Sequence, residues 1–325
     1  MTNSAAPVLE MARPLRAEDG RELSAVWYEP IESPVHAVAV VSAAGGVPQQ
    51  RYSAFARWLA GRGYAVLTYD HRGIGRSSLG PLGREPATML DWARLDMGAA
   101  LAAARERAAQ GRCLAAPPLP LLWVGHSFGG NAVAFAPGVL AVNALLLVAA
   151  GLGARQWVPW PQRAQLLLAH LLWLPLWLRV FGFLPGWALG AGAQPMPAGV
   201  VRQHLRWAGM QQWAFGDAAL QQRHAAAAIT APLHLWSLDD DRLHASRASV
   251  DALAAHFTQA AVQRHHLSPV DAGLQQLGHF GAFSRRAGPA LWLRLLQPLE
   301  TAVPALQPPC GQGEASAVRG YSEPP

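Results

Sequence analysis

Short, nearly wholly apolar runs punctuate the first half of the chain at regular intervals. HAVAVV (His36–Val41), YAVLTY (Tyr64–Tyr69), LLWV (Leu121–Val124) and ALLLVAA (Ala144–Ala150) lack the alternation of a strand with one wet face. Such runs belong to strands buried on both sides of a parallel sheet. Between them, Arg51–Ala60 and Asp91–Ala109 carry helical periodicity, and Gly61-Arg62-Gly63 and Pro117-Pro118 interrupt it. Strand, helix, strand, helix at this pitch predicts an α/β fold, a mostly parallel sheet flanked by helices. Ahead of it, residues 12–30 alternate about Glu18-Asp19-Gly20, a turn between two short strands.

The rhythm stops at residues 151–228. This stretch holds no buried strand run, many Pro and Gly, and seven of the thirteen tryptophans (157, 160, 173, 177, 187, 207 and 213). It reads as a helical cap inserted after the sixth strand. The α/β pattern resumes with LHLWSL (Leu233–Leu238), a helix near Arg247–Phe257, a strand near Val262–Leu267 and a last helix around Pro289–Leu299. The organisation expected is a core of residues 1–150 and 229–302, a cap or lid at 151–228, and a disordered Pro/Gly/Ser/Glu tail at 303–325.

Composition narrows the function classes. The net charge is +6, from 26 basic against 20 acidic residues, and every one of the bases is arginine. The arginines are scattered rather than grouped in one stripe, so no nucleic-acid partner is expected. Cys113 and Cys310 form no CxxC and no disulfide framework. With no signal-peptide pattern in residues 1–13, the expected location is cytoplasmic. The segment QLLLAHLLWLPLWLRVFGFL (Gln165–Leu184) has the length of a membrane span but contains His170, Pro175 and Arg179. These residues favour a buried or substrate-facing apolar helix pair broken at the proline. Membrane association is therefore possible but not favoured, and nothing indicates an oligomeric state.

The chemistry concentrates at Gly125-His126-Ser127-Phe128-Gly129-Gly130, which follows a buried strand and opens a small-residue helix. This is G-x-S-x-G in its strand–turn–helix setting, with Ser127 as candidate nucleophile. A serine hydroxyl needs a base and the base an orienting carboxylate, each on a loop after a later strand. ALLLVAA is followed by Gly151-Leu152-Gly153, which has no acid; LHLWSL is followed by Asp239-Asp240-Asp241. Asp241 is taken as the acid, with Asp240 as the alternative, and His279 of Leu277-Gly278-His279-Phe280 as the base. His265 and His266 lie inside a strand run. Backbone N–H groups of Phe128 and Ala44 are the expected oxyanion donors. Arg72 and Arg76 read as parts of a glycine-bent loop stabilised by Asp70 rather than phosphate binders. No histidine cluster has metal-ligand spacing and no dinucleotide fingerprint is present, so no metal or cofactor is expected.

Together, GHSFGG, the run DHRGIGRS (Asp70–Ser77), DDDRL and GHF resemble the α/β-hydrolase superfamily over roughly residues 10–300. The segments around Ala43–Ser78 and GHFGAF look closest to a bacterial group of α/β hydrolases of unassigned substrate. The resemblance places the acid two residues before an apolar one, Asp241-Arg242-Leu243. Many members carry His-Gly at the oxyanion loop, where this chain has Ala43-Ala44-Gly45. The expected activity is a serine hydrolase acting on a small-molecule carboxylic ester or thioester through an acyl-enzyme, the acyl group lying against Trp173 and Trp177 of the cap. An acyltransferase or amidase, or a catalytically silent ligand-binding protein, are the alternatives.

Overall fold

A computed structural model describes residues 7–110, 117–189 and 194–307; Cys113, Cys310 and the expected tail beyond 307 lie outside the described residues. One sheet of eight strands organises the core: β1 (Val8–Ala12), β2 (Ala25–Pro30), β3 (Ala37–Ser42), β4 (Tyr64–Tyr69), β5 (Leu121–His126), β6 (Ala144–Val148), β7 (Leu233–Leu238) and β8 (Val262–Leu267). They lie in the order β1-β2-β4-β3-β5-β6-β7-β8. The first two pairings, β1 on β2 and β2 on β4, are antiparallel; every other pairing is parallel. β3 to β7 are buried at every position, as runs without alternation require, whereas the edge strand β8 has only Leu267 buried.

Helices flank the sheet. α1 (Ser53–Ala60) turns Phe55, Ala56, Leu59 and Ala60 inward, and α2 (Met97–Ala109) packs on β3 and β5. α3 (Phe128–Asn131) follows β5 directly. Beyond the cap come α6 (Arg247–Ala254) and α7 (Gly288–Ala302), where Trp292 of α7 meets Phe55 and Trp58 of α1 at ring separations of 5.7 Å. Residues 303–307, expected in the tail, instead stay against this core. Leu306 is fully buried and its carbonyl accepts the Tyr64 hydroxyl at 2.7 Å, bonding that a Pro-rich composition does not reveal.

The insertion between β6 and β7 carries α4 (Gln162–Phe181) and α5 (Ala198–Ala208). Two expectations change here. Among the described cap residues there is a small antiparallel ladder, Phe183–Leu184 with Met196–Pro197, too short to register as a strand run. And α4 is one helix, not a pair broken at Pro175. A wider π-helical turn at Ala169–Trp173 precedes the proline and absorbs its missing N–H and ring bulk. Leu166, Ala169, His170 and Leu174 of α4 face inward over a cavity, while the opposite face, including Leu171 at 64% and Val180 at 63% exposure, is open. The apolar run is buried on one side only.

Candidate active site

β5 ends in a sharp turn. Ser127 adopts φ 51° and ψ −114°, a region that costs a non-glycine residue on the order of 1–3 kcal/mol. The turn is possible because its neighbours lack side chains. A Cβ at Gly125 would sit 2.5 Å from the Gly129 carbonyl oxygen, and one at Gly129 would overlap the Ser42 carbonyl. Ser127 is thus presented at the carboxyl edge of the central strand, with the first turn of α3 behind it.

After β7, the three aspartates divide their work. Asp239 is exposed beside His266. Asp240 accepts the backbone N–H groups of Leu277 and Gly278, both at 2.9 Å, and so fixes the loop that carries His279. Asp241 is buried, and its Oδ2 accepts from His279 Nδ1 at 2.5 Å while its Oδ1 accepts the His244 backbone N–H at 3.1 Å. Burial by itself would raise the Asp241 carboxyl; hydrogen bonds from His244 and His279 outweigh it and hold the group ionised, well below the usual carboxylate range. Burial lowers His279, against the opposing pull of Asp241, so the imidazole stays neutral at its ring nitrogen away from Asp241. The structure therefore brings Asp241 and His279 together, and His279 and Ser127 line the same cavity.

The oxyanion loop departs from expectation. The Ala44 N–H donates to the buried Tyr52 hydroxyl at 2.9 Å and is unavailable to a substrate. The next residue, Gly45, lines the cavity beside Phe128, and its N–H makes no hydrogen bond among the described residues. A tyrosine from a different element made the difference, which the local sequence does not display. Tyr52 also hydrogen-bonds His126 Nδ1 at 2.7 Å, and His126 Nε2 meets the His279 carbonyl at 2.9 Å. The His279 carbonyl can only accept, so Nε2–H donates to it, and in the neutral ring Nδ1 then accepts the Tyr52 hydroxyl proton. Burial pushes His126 down to about 3, which keeps this neutral tautomer throughout the working pH range.

The cavity over Ser127 has a volume of about 650 Å³. Its walls combine Leu152, Trp157, Val158, Leu166, Leu174 and Trp213 with two cap histidines, His170 and His204, whose rings lie 5.6 Å apart. Burial lowers both, His170 to about 3 and His204 to about 4, helped by the Arg155 guanidinium that also lines the cavity, so the two imidazoles are neutral. Trp173 and Trp177 do not line it. Trp173 is on the open face of α4, and Trp177 packs on Trp187 at 5.1 Å. A helix apolar on all sides gives no sequence signal of which face turns inward.

Asp241, His244 and His279 place potential ligand atoms within 4.8 Å of one another, the one such group of three among the described residues. Ligands on one zinc ion at roughly 2.0–2.1 Å stand about 3.3 Å apart, farther than the 2.5 Å between Asp241 and His279. That spacing fits a shared proton. Arg72, for its part, is held by Asp96 and Asp19 at 2.7 and 2.6 Å, and Asp70 accepts the Gln49 and Arg76 N–H groups, so this loop is braced internally.

Fold and site together define the class: the chain belongs to the α/β-hydrolase superfamily. A family described as serine aminopeptidase, S33, matches residues 33–194. Among solved structures, a soluble variant of monoglyceride lipase from Saccharomyces cerevisiae in complex with a substrate analogue is similar at TM-score 0.63 and 13% identity, over 92% of this chain and 97% of that one. Brefeldin A esterase, a bacterial homologue of human hormone-sensitive lipase, is similar at 0.57 and 16% identity, over 94% and 79%. The esterase domain of a Rhodothermus marinus protein follows at 0.53 and 18%, over 90% and 98%. At these identities the likeness concerns the fold. No curated protein matches the chain.

Proposed function

We propose that the chain is a serine hydrolase of carboxylic esters or thioesters with a lipophilic acyl group, working through an acyl-enzyme. The observation that carries this reading is the 2.5 Å Asp241–His279 bond at a largely apolar cavity shared with a strained, elbow-mounted serine. Ser127 Oγ attacks the carbonyl carbon as His279 takes its proton, and Asp241 steadies the imidazolium. The N–H groups of Phe128 and Gly45 hold the oxyanion. Collapse breaks the bond to the leaving alcohol or thiol, which receives the proton from His279. Water then attacks the acyl-enzyme with the same base, and the acid and free Ser127 are released. The structural neighbours named above, two esterases and a monoglyceride lipase, support this class.

A fluorophosphonate probe tests it directly: one adduct on Ser127 is expected in the wild-type chain and none in Ser127→Ala. An unlabelled wild-type chain would assign the fold to ligand binding without covalent chemistry.

The acyl site is expected along Leu166 and Leu174. Each methylene buried there contributes about 0.8 kcal/mol, so kcat/KM should climb roughly threefold to fourfold per added CH₂ over short to medium p-nitrophenyl esters. Leu174→Ala should flatten that slope, and Trp173→Ala should leave it alone. A wild-type profile that falls beyond acetyl would contradict the lipophilic part of the proposal.

The pH profile follows from His279. An imidazolium cannot accept the serine proton, and burial disfavours that charged form. Rate is therefore lost as pH falls through a pKa lower than the ordinary value of about 6.5, and kcat/KM should be level from about pH 7 to 8. An acid-limb midpoint above 7 in kcat/KM would show a different base.

A further inference from the structure

The open face of α4 has no part in the reaction described above. Leu168, Leu171, Leu172, Leu176 and Val180 are each about half exposed or more, and Trp160 and Trp187 stand at 72% and 64%. Of an 18-residue apolar window in this helix, only 11% is buried. Contiguous apolar surface of this kind marks a place where something docks.

Charge says what docks there. Residues 151–228 contain six arginines (155, 163, 179, 202, 206 and 223) and one carboxylate, Asp217, which is itself paired with Arg206. The rest of the chain is nearly balanced, 20 arginines against 19 carboxylates. Almost the whole net charge thus belongs to residues 151–228; Arg155 lines the cavity and Arg163 donates to the Gln156 and Val158 carbonyls, while Arg179 stands exposed on α4 itself. A second copy of this chain would set like charge against like across the face. A surface of anionic phosphate headgroups over hydrocarbon matches both the arginines and the leucines.

We propose that the outer face of α4 docks on a bilayer containing anionic lipid, with the helix lying in the interface rather than crossing it. The inward face settles the orientation. Leu166, His170 and Leu174 roof the cavity, and His170 is buried against His204. A spanning helix would strip the roof from the site and place that imidazole in hydrocarbon. Lying flat, α4 keeps one face on the cavity and gives the other to the lipid.

The test uses the full chain, sedimented with phosphatidylcholine vesicles containing one-third phosphatidylglycerol and with phosphatidylcholine alone. Partition onto the anionic vesicles is expected to be at least about tenfold stronger, to weaken with added salt, and to shift tryptophan emission to the blue. The pair Leu172→Glu and Leu176→Glu should reduce partition about tenfold or more while leaving hydrolysis of a water-soluble acetate ester unchanged. Should that pair fail to fold, the single Arg179→Glu serves, with a drop of about fivefold expected. No partition, equal partition onto both vesicle types, or indifference to these substitutions would overturn the proposal. So would a solution dimer that the same substitutions dissolve, which assigns the face to a second copy. Vesicle binding without any ester turnover would leave the docking intact and remove only the proposed reaction.

Discussion

Asp241→Asn should lower kcat by about four orders of magnitude with the fold intact. The carboxylate accepts the Nδ1 proton of His279 at 2.5 Å and is held ionised by its hydrogen bonds. An amide in its place can present an N–H to the ring, which turns the imidazole to the wrong tautomer and leaves the transient imidazolium without a counter-charge. Asp240→Asn retains an oxygen for the Leu277 and Gly278 N–H groups and should cost no more than about tenfold. Steady-state kinetics on a chromogenic ester, with circular dichroism as the folding control, separates the two. A reversed order of damage would move the acid to Asp240.

The largest expected loss of stability comes from a single methyl group at Gly129. Its Cβ would overlap the Ser42 carbonyl oxygen and carbon, which belong to β3 and cannot withdraw without breaking the sheet. Gly129→Ala should cost more than about 3 kcal/mol, read by urea or thermal unfolding. Gly278→Ala is the comparison. Gly278 has φ +54° but no neighbour nearer than 4.0 Å, so only the backbone conformation is penalised, at about 1–2 kcal/mol. Equal stability of Gly129→Ala and the wild type would show that the elbow is not packed as tightly as described.

The central sheet was legible because β3 to β7 are buried on both faces, and full burial writes itself as an unbroken apolar run. The candidates Ser127 and His279 stand out from glycine-bracketed motifs and Asp241 from its place after β7; the structure brings Asp241 to His279 and sets His279 and Ser127 on one cavity. Other features depend on partners distant in sequence. The Ala44 N–H is taken by Tyr52 from a neighbouring element, so the donor proposed on this loop is Gly45, one residue on. β1 is a short, half-wet edge strand with no run to announce it. The inward face of α4 escaped for the opposite reason: leucine and tryptophan surround the helix, and Pro175, a helix breaker by rule, is accommodated by the wide turn before it. Trp173 and Trp177 were accordingly assigned to the wrong side.

The bridge from the Ala44 N–H through Tyr52 and His126 to the His279 carbonyl has a consequence for motion. It ties the oxyanion loop, the elbow strand and the histidine loop, which are far apart in the chain, into one cross-linked unit. Segments joined this way open together, so amide protons in all three loops should exchange as one cooperative block at a rate set by opening of the core. The helix α4, in which only His170 and Leu178 are buried, should exchange faster and independently. On the proposed function, α4 can then open over the cavity without disturbing the alignment of Ser127, His279 and Asp241.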